Sequence, residues 1–210
     1  MKHLVLSLLT VLASSCAVAQ NAGDITLSAP DKTRGASVMK ALADRHSERE
    51  CADKELSTAD LSDLVWAANG INRNDGKRTA PSAMNRQDID VYVVTAKGAY
   101  RYLPKEHKLQ LITPGDHRSA VAKGQSFVEK FPVSLVLVSD LSRFGNTDDH
   151  TRMVAAMDAG YVSQNICLFC SATGLVTVPR ATMDSNELKR VLKLSDSQMP
   201  LLNNPVGYKK

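Results

Sequence analysis

Residues 174–184 read GLVTVPRATMD and pass from strand to loop to helix within a few positions. The apolar run from Leu175 to Val178 predicts a short strand. Asp184, followed by Glu187 three positions later, predicts the N-cap of a helix that runs to Leu194. The backbone N–H groups of the loop between them could face the edge of a ligand, although an ordinary surface loop has the same composition.

The sequence before this stretch predicts a central helix and an interior strand of the sheet. Residues 151–173 form the longest pattern with helical spacing, and they are apolar enough to be central. The run from Val133 to Val138 is almost entirely apolar and β-branched, which is typical of a strand in the middle of a sheet. Helical spacing also extends from His117 to Phe131. No internal repeat or linker divides the chain, so one α+β domain is expected.

Helical patterns and a hairpin precede these segments. Residues 35–45 carry apolar side chains at helical spacing, and Ser57, with an acidic residue three positions later, begins a capping box for a second helix. The period then changes to two, so residues 91–94 and 100–102 are predicted strands joined by a turn. The chain after Pro200 is predicted to be extended.

The first residues are interpreted as an export signal rather than as part of the fold. A basic start precedes an apolar run of about 16 residues, shorter than the roughly 20 that a membrane-spanning helix needs. Ala17-Val18-Ala19 gives the small-x-small pattern of a signal-peptidase site. We therefore expect a signal peptide at residues 1–19, a mature domain at residues 20–210 and a periplasmic location. An alternative uses residues 13–16 as a lipoprotein box, in which Cys16 carries a lipid that anchors the protein to a membrane.

The composition of the chain is that of an ordinary globular domain. The 26 lysine and arginine residues exceed the 22 aspartate and glutamate residues, which gives a net charge of +4 with both signs interspersed. We therefore expect no nucleic-acid partner, whereas one small anionic ligand is compatible with this charge.

Three cysteines remain after the expected cleavage, and their spacing leaves three interpretations open. Cys167 and Cys170 lie in an apolar helical segment, where cysteine packs as a small hydrophobic side chain. Their separation is also compatible with a disulfide or redox pair in an exported protein. Cys51 makes the count odd, so the three cannot all pair within the chain. A metal site is disfavoured, because no further cysteine or histidine ligands lie nearby at a fitting spacing.

Two further segments contain candidate ligand-binding residues. Residues 45–49 read RHSER and gather two guanidinium groups and a hydroxyl within a short span. Arginine presents paired donors to anionic oxygens, so this group suits a phosphate, although a charge cluster is more often a solvated surface. Residues 80–87 read APSAMNRQ, where small side chains would let the backbone approach a flat ligand and Asn85 offers an amide. A plain turn contains the same residue types.

In this order, the three segments resemble the FMN-dependent nitroreductase family. The similar elements are Arg-x-Ser-x-Arg at residues 45–49, Pro-Ser-x-x-Asn at residues 81–85 before a strand, and Gly-Leu-x-Thr-Val-Pro at residues 174–179 before an acidic helix cap. The resemblance covers about residues 35–210. Within the family, the hairpin sequence at residues 90–102 is most similar to the SagB/ThcOx branch, which includes dehydrogenases that oxidise peptide azolines to azoles.

The resemblance implies a nitroreductase-like α+β fold, with a central mixed sheet flanked by helices, and an intertwined homodimer with two FMN molecules at its interface. It implies no catalytic side chain, because the flavin carries the chemistry. The residues that it places around FMN are Arg45, His46, Ser47 and Arg49 at the phosphate, ribityl chain and pyrimidine edge, Pro81, Ser82, Ala83 and Asn85 from the partner subunit, the backbone of Pro179, Arg180 and Ala181 at the N5 edge, and Lys210 at the phosphate.

The activity implied by the resemblance is a ping-pong transfer of electrons through flavin N5, to or from a small organic substrate. Nicotinamide cofactors are cytoplasmic, so export leaves open whether NAD(P)H or another donor supplies the electrons. Three departures from the family pattern put the substrate in doubt more than the cofactor: Cys51 replaces an aromatic residue, Asp88-Ile89 replaces Pro-Trp, and Arg180-Ala181-Thr182 lacks the glycine and acidic residues often found at the N5 loop. Two alternatives are a flavin-binding protein without turnover and a thiol-disulfide protein that uses Cys167 and Cys170.

Overall fold

One seven-stranded sheet with helices on both faces makes up the part of the chain that the computed structural model describes, residues 23–210. The expected signal peptide and the possible lipid site at Cys16 lie outside these residues. Among the described helices, none is both long enough and apolar enough to cross a membrane. The strands are β1 Ile25–Thr26, β2 Ile89–Thr95, β3 Gly98–Leu103, β4 Lys108–Pro114, β5 Val133–Asp140, β6 Leu175–Thr177 and β7 Gln198–Tyr208. The α-helices are α1 Val38–Asp44, α2 Thr58–Asn69, α3 Arg118–Ala122, α4 Asp149–Thr173 and α5 Ser185–Val191.

The strands follow the order β1-β4-β3-β2-β5-β7-β6, and every neighbouring pair is antiparallel. The α+β class and the flanking helices are confirmed, but the expectation of a mixed sheet is wrong. Connectivity explains the antiparallel pairing of three successive strands. β2, β3 and β4 follow one another through short turns, which can join only antiparallel neighbours, whereas a parallel pair needs a long crossover.

The C-terminal segment forms an interior strand of the sheet. β7 lies between β5 and β6, although it contains Pro200 and Pro205, which have no amide hydrogen to donate. Pro200 pairs with Val138 where the register of β5 and β7 shifts. Asn203 exchanges both backbone hydrogen bonds with Arg180, on the β6 side of β7. Alternate residues of a strand face the same neighbour, so the nitrogen of Pro205 also faces this side, beyond the end of β6.

The predicted N-caps of α2 and α5 are confirmed, whereas residues in the left-handed conformation end α3 earlier than predicted. The hydroxyl of Ser57 accepts a hydrogen bond from the Asp60 N–H at 3.0 Å, which confirms the predicted cap of α2. Asp184 caps α5, which ends at Val191 rather than at Leu194. The helix predicted from His117 to Phe131 is wrong: only α3 and a 3-10 turn at Val128–Lys130 form there. Lys123 (φ 45°) and Gly124 (φ 80°) adopt the left-handed conformation that ends a helix.

Two hydrophobic clusters cover the two faces of the sheet. Strand β5 contributes to both, because alternate side chains of a strand point to opposite faces. Leu135 and Leu137 belong to the cluster that includes α2 and α4, whereas Val136 and Val138 belong to the cluster that includes α3 and α5. This double burial explains the nearly continuous apolar run in the sequence of β5.

Candidate functional site

Residues 45–49 lie where α1 ends, against the edge strand β6. The backbone N–H of Arg45 donates to the carbonyl of Ala41 at 3.0 Å and closes α1. The N–H of Glu48 then donates to the carbonyl of Thr177, the last residue of β6, at 3.0 Å. The fold therefore brings residues 45–49 and the segment at residues 174–184 together, although they are far apart in sequence.

Three of the side chains expected around a phosphate, those of Arg45, Ser47 and Arg49, have no hydrogen-bond or ion-pair partners in the described chain. Arg45 is half-buried and Arg49 is exposed, and neither guanidinium group forms a hydrogen bond or an ion pair there. The exposed hydroxyl of Ser47 is also unpartnered among residues 23–210. Two uncompensated guanidinium groups beside a hydroxyl are a donor set that fits a phosphate group.

The other two candidates, His46 and Lys210, already have neighbours. His46 places Nδ1 at 2.7 Å from the carbonyl oxygen of Asp44, and its Nε2 lies 3.6 Å from the Glu48 carboxylate. The ammonium group of Lys210 lies 2.7 Å from the Glu50 carboxylate, and this hydrogen bond raises the pKa of Lys210. Lys210 is therefore beside residues 45–50, but it would have to leave Glu50 to contact a phosphate.

Behind this segment, α4 and β6 leave a small cavity of about 30 Å³, which has room for one or two water molecules but not for a flavin ring. Cys167 and Cys170 line it, and both are buried free thiols. Burial raises the pKa of each thiol, and the positive charge of Arg45 only partly opposes this for Cys167. The prediction that these cysteines pack in the core is confirmed.

The loop after β6 offers fewer backbone donors than the sequence indicated. Pro179 has no N–H, and the N–H of Arg180 donates to the carbonyl of Asn203 at 2.9 Å. Ala181 and Thr182 are exposed, and within the described residues their amides donate to no protein group. These two amides are therefore the donors that this loop can present to a ligand.

The Arg180 side chain turns inward, toward α3. Its guanidinium group donates to Asn203 Oδ1 at 2.7 Å, to the carbonyls of Val121 and Ala122 at 3.2 Å each, and to Gln125 Oε1 at 3.2 Å. Only 8% of the residue is exposed. Burial without an acidic partner lowers the pKa of Arg180. The unusual arginine in the loop thus fixes the loop to α3 instead of extending from it.

Residues 80–87 lie at a different place on the molecule. The N–H of Ala83 donates to both carboxylate oxygens of Asp158 on α4, at 2.9 and 3.2 Å. Asp158 precedes Cys170 on the same helix by about 18 Å of helix length. Pro81, Ser82, Ala83 and Asn85 therefore do not meet residues 45–49 within one chain. Met84, Asn85 and Gln87 have positive φ angles, so this turn is backbone-strained as well as exposed.

A buried pair of carboxyl groups that was not predicted from the sequence lies beneath this turn. Asp88 is fully buried, accepts a hydrogen bond from the Ser139 hydroxyl at 2.6 Å, and lies against Asp158. Burial, together with the charge of Asp158, raises the pKa of Asp88 to about 7. One signal was available: Asp158 is an acidic residue on the buried face of α4, between Ala155 and Val162.

An exposed apolar surface lies next to the same turn. Met153, Met157 and Tyr161 recur at every fourth position of α4 and are each about half exposed. Met84, in the turn that contacts α4, is 74% exposed. Isolated apolar side chains are ordinary on a protein surface, whereas these three form an aligned row on one face of α4.

Comparisons with known proteins show which family and fold the chain is similar to. A family model described as the nitroreductase family matches residues 42–208. A protein of Methanocaldococcus jannaschii, named as a nitroreductase, is 30% identical over 178 residues, which cover 80% of this chain and 89% of the relative. The FMN reductase [NAD(P)H] of Bacillus subtilis is 26% identical over 186 residues, which cover 81% of this chain and 65% of that enzyme.

A solved structure gives the same result at the level of the fold. The crystal structure of a Ralstonia eutropha protein, described as a nitroreductase, superposes with a TM-score of 0.82 at 36% sequence identity. The match covers 89% of this chain and 90% of the other.

Proposed function

The chain belongs to the nitroreductase family, and on this basis we propose that it is an FMN-dependent oxidoreductase. The observation that carries the proposal is the unpartnered donor set of Arg45, Ser47 and Arg49 beside the loop that follows β6. The name of the B. subtilis relative, an FMN reductase, supports FMN as the cofactor.

Each part of the proposed site has a role that its chemistry suggests. Arg45, Ser47 and Arg49 hold the phosphate and the adjoining chain through charge-assisted hydrogen bonds. His46, in the same segment, is held by Asp44 and Glu48. Lys210 contacts the phosphate once its ammonium group has left the Glu50 carboxylate. The exposed amides of Ala181 and Thr182 orient the ring edge. Bound FMN supplies the redox chemistry, in which an electron donor and an acceptor use the same face in turn.

We propose that the protein is a homodimer, since the site is incomplete in one chain. Residues 81–85 are separated from residues 45–49 by much of the length of α4, yet they adjoin the exposed row of Met153, Met157 and Tyr161. Burying that row against a second copy would carry the turn of one subunit toward the flavin site of the other. The apolar residues exposed on α1, Val38, Met39 and Leu42, extend the available surface.

The substrate and the location are proposed from sequence motifs. The hairpin of β2 and β3 supports membership of the SagB/ThcOx branch, so we propose a small organic molecule or a peptide as the substrate. The N-terminal pattern supports export to the periplasm, with lipidation of Cys16 as the alternative. Export favours a donor other than NAD(P)H, because nicotinamide cofactors are cytoplasmic, whereas a protein that stays in the cytoplasm could use NAD(P)H.

The thiol-disulfide alternative has little support from the fold. A reactive cysteine needs a thiolate and access to its partner, but Cys167 and Cys170 are buried and their thiol pKa values are raised by that burial. The flavin-binding alternative without turnover is separated from the enzyme by one measurement, the substrate-dependent reoxidation of reduced protein.

The first experiment is an FMN titration of the purified protein, followed by absorbance and by flavin fluorescence. We expect Arg45→Gln and Arg49→Gln each to weaken FMN binding about tenfold or more, because each removes a hydrogen bond to a charged group. The matched control is Arg190→Gln, an exposed arginine on α5 that should leave FMN affinity unchanged. A protein that binds no FMN at any concentration would rule out the proposed function.

Reoxidation of the reduced flavoprotein is then measured with a nitroaromatic acceptor and with oxygen. An acceptor-dependent rate supports an enzyme. Tight FMN binding without any such rate supports the flavin-binding alternative.

A further inference from the structure

A second cavity, of about 320 Å³, lies at one end of the sheet and shares no residue with the proposed flavin site. Its walls come from residues 53–58 before and at the start of α2, from the turn between β2 and β3, and from the start of β5. This volume is at the lower end of the range for pockets that hold small organic molecules.

The floor of this cavity is apolar. Leu61, Tyr100 and Val133 reach it from the hydrophobic cluster under α2, and the half-buried Leu56 packs against that cluster. A ligand with an apolar body would therefore cover side chains that already form the edge of the core. Burial of apolar surface supplies the non-directional part of binding.

The Tyr100 hydroxyl gives the cavity a polar donor. Tyr100 is only 5% exposed, yet among the described residues its hydroxyl forms no hydrogen bond. Other tyrosines of the sheet have partners: Tyr102 contacts His107 Nδ1 at 2.9 Å, and Tyr208 donates to Asp60. The hydroxyl oxygen is not among the enclosed unpartnered atoms of the described residues, so it is accessible from the cavity and can donate to the acceptor of a ligand there.

The charges around the opening favour an anion. Lys97 is paired with Glu55 at 2.9 Å, and Arg118 is paired with Asp116. Lys54 and Lys130 have no carboxylate partner in the described chain, whereas Asp53 is the single lining acid without a cationic partner there. The ammonium group of Lys54 lies over the Tyr208 ring, 4.4 Å from its centroid, and keeps its charge. Lys54 and Lys130 together outweigh the carboxylate of Asp53, so the rim has a positive excess.

We propose that this cavity is a binding site for a small amphipathic carboxylate, with its apolar body on Leu56, Leu61 and Val133 and a carboxylate oxygen accepting the Tyr100 hydroxyl. Lys130, which also lines the cavity, supplies a positive charge that stabilises the carboxylate. The site is separate from the flavin site, so its occupancy does not depend on the proposed function.

The test is a calorimetric or NMR titration of the purified protein with 4-phenylbutyrate, and with 4-phenylbutylamine as the analogue of opposite charge. We expect the carboxylate to bind and the amine to bind at least about tenfold more weakly. Tyr100→Phe keeps the ring that packs in the core and removes only the hydroxyl, so we expect it to weaken 4-phenylbutyrate binding about tenfold.

The matched control is Tyr92→Phe, which removes a hydroxyl from a buried tyrosine in the cluster on the opposite face of the sheet. Its affinity for 4-phenylbutyrate should equal that of the unmodified protein. Lys130→Gln provides a second variant at an exposed position, where folding is not in question, and it should weaken the carboxylate but not the amine. Equal affinity for both analogues, or equal effects of Tyr100→Phe and Tyr92→Phe, would overturn the proposal.

Discussion

Asp88 is the residue at which the fold most strongly alters ordinary side-chain chemistry. Its carboxyl group is fully buried between the Ser139 hydroxyl and Asp158, and one of its oxygens has no hydrogen-bond partner among residues 23–210. Asp158 in turn holds the Ala83 amide of the strained 80–87 turn. The two carboxyl groups thus connect α4 to a turn that we propose contacts the flavin of a partner subunit.

The pH dependence of stability follows from the pKa of Asp88, which rises from 3.8 in an unfolded chain to about 7 in the fold. Between these values the folded protein retains a proton that the unfolded chain loses. The stabilisation that this retained proton contributes is therefore fully present below about pH 4. It decreases as the pH rises above that value and is lost once the pH has passed about 7. We expect Asp88→Asn to reduce the loss of stability between pH 5 and pH 8 by about 1–3 kcal/mol, as measured by urea unfolding at both pH values.

The asparagine suits this position, because its carbonyl can accept from Ser139 while its amide donates to Asp158. The control is Asp75→Asn, which changes an exposed acidic residue in a loop. This variant should lose as much stability between pH 5 and pH 8 as the unmodified protein does. If Asp88→Asn and the unmodified protein lose the same stability between the two pH values, the pKa of Asp88 is not raised in the folded protein.

At the scale of elements, α2 begins at a cap that also anchors the C-terminus. The Ser57 hydroxyl accepts from the Asp60 N–H and donates to the Asp60 carboxylate at 2.6 Å. Tyr208 at the end of β7 donates to the same carboxylate, and Arg34 pairs with it at 2.8 Å. The sequence predicted the cap, but the two distant partners arise only when β7 and residue 34 are brought to the start of α2.

We expect Ser57→Ala to lower the free energy of unfolding by about 1 kcal/mol, because the first turn of α2 loses its side-chain acceptor. Chemical denaturation monitored by circular dichroism measures this change. Thr58→Ala, one position later at an exposed site, serves as the control and should change the stability by less than about half as much. Equal effects of the two substitutions would mean that the cap contributes nothing.

At the scale of the whole molecule, α4 separates two halves of the proposed site and presents an apolar row that one chain leaves exposed. We expect Met157→Asp to shift the protein from dimer to monomer and to weaken FMN binding, because the partner's turn would no longer reach the flavin. Sedimentation velocity measures the first effect, and an FMN titration measures the second.

Asn186→Asp is the control for this change, since it adds the same charge at an exposed position of α5 on the opposite face of the sheet. It should leave both the oligomeric state and FMN affinity unchanged. An unmodified protein that sediments as a monomer, with FMN bound at full affinity, would contradict the proposed dimer.

The sequence by itself determined those features whose signals are local. The caps at Ser57 and Asp184, the period-two strands of the hairpin, the doubly buried run of β5 and the burial of Cys167 all follow from residues within a few positions of one another. The three motif segments also predicted the family, since each motif is short and contiguous.

Only the tertiary structure decided the features that depend on pairs distant in sequence. The antiparallel partners of β7, the inward Arg180 held by α3 and Asn203, and the shared burial of Asp88 and Asp158 each join residues from separate elements. Hydrogen-bond register and desolvation are properties of such contacts, and no local pattern encodes them. The family resemblance assigned residues 81–85 to the flavin site of a partner subunit, and the structure adds that within one chain they lie at a different point along α4 from residues 45–49.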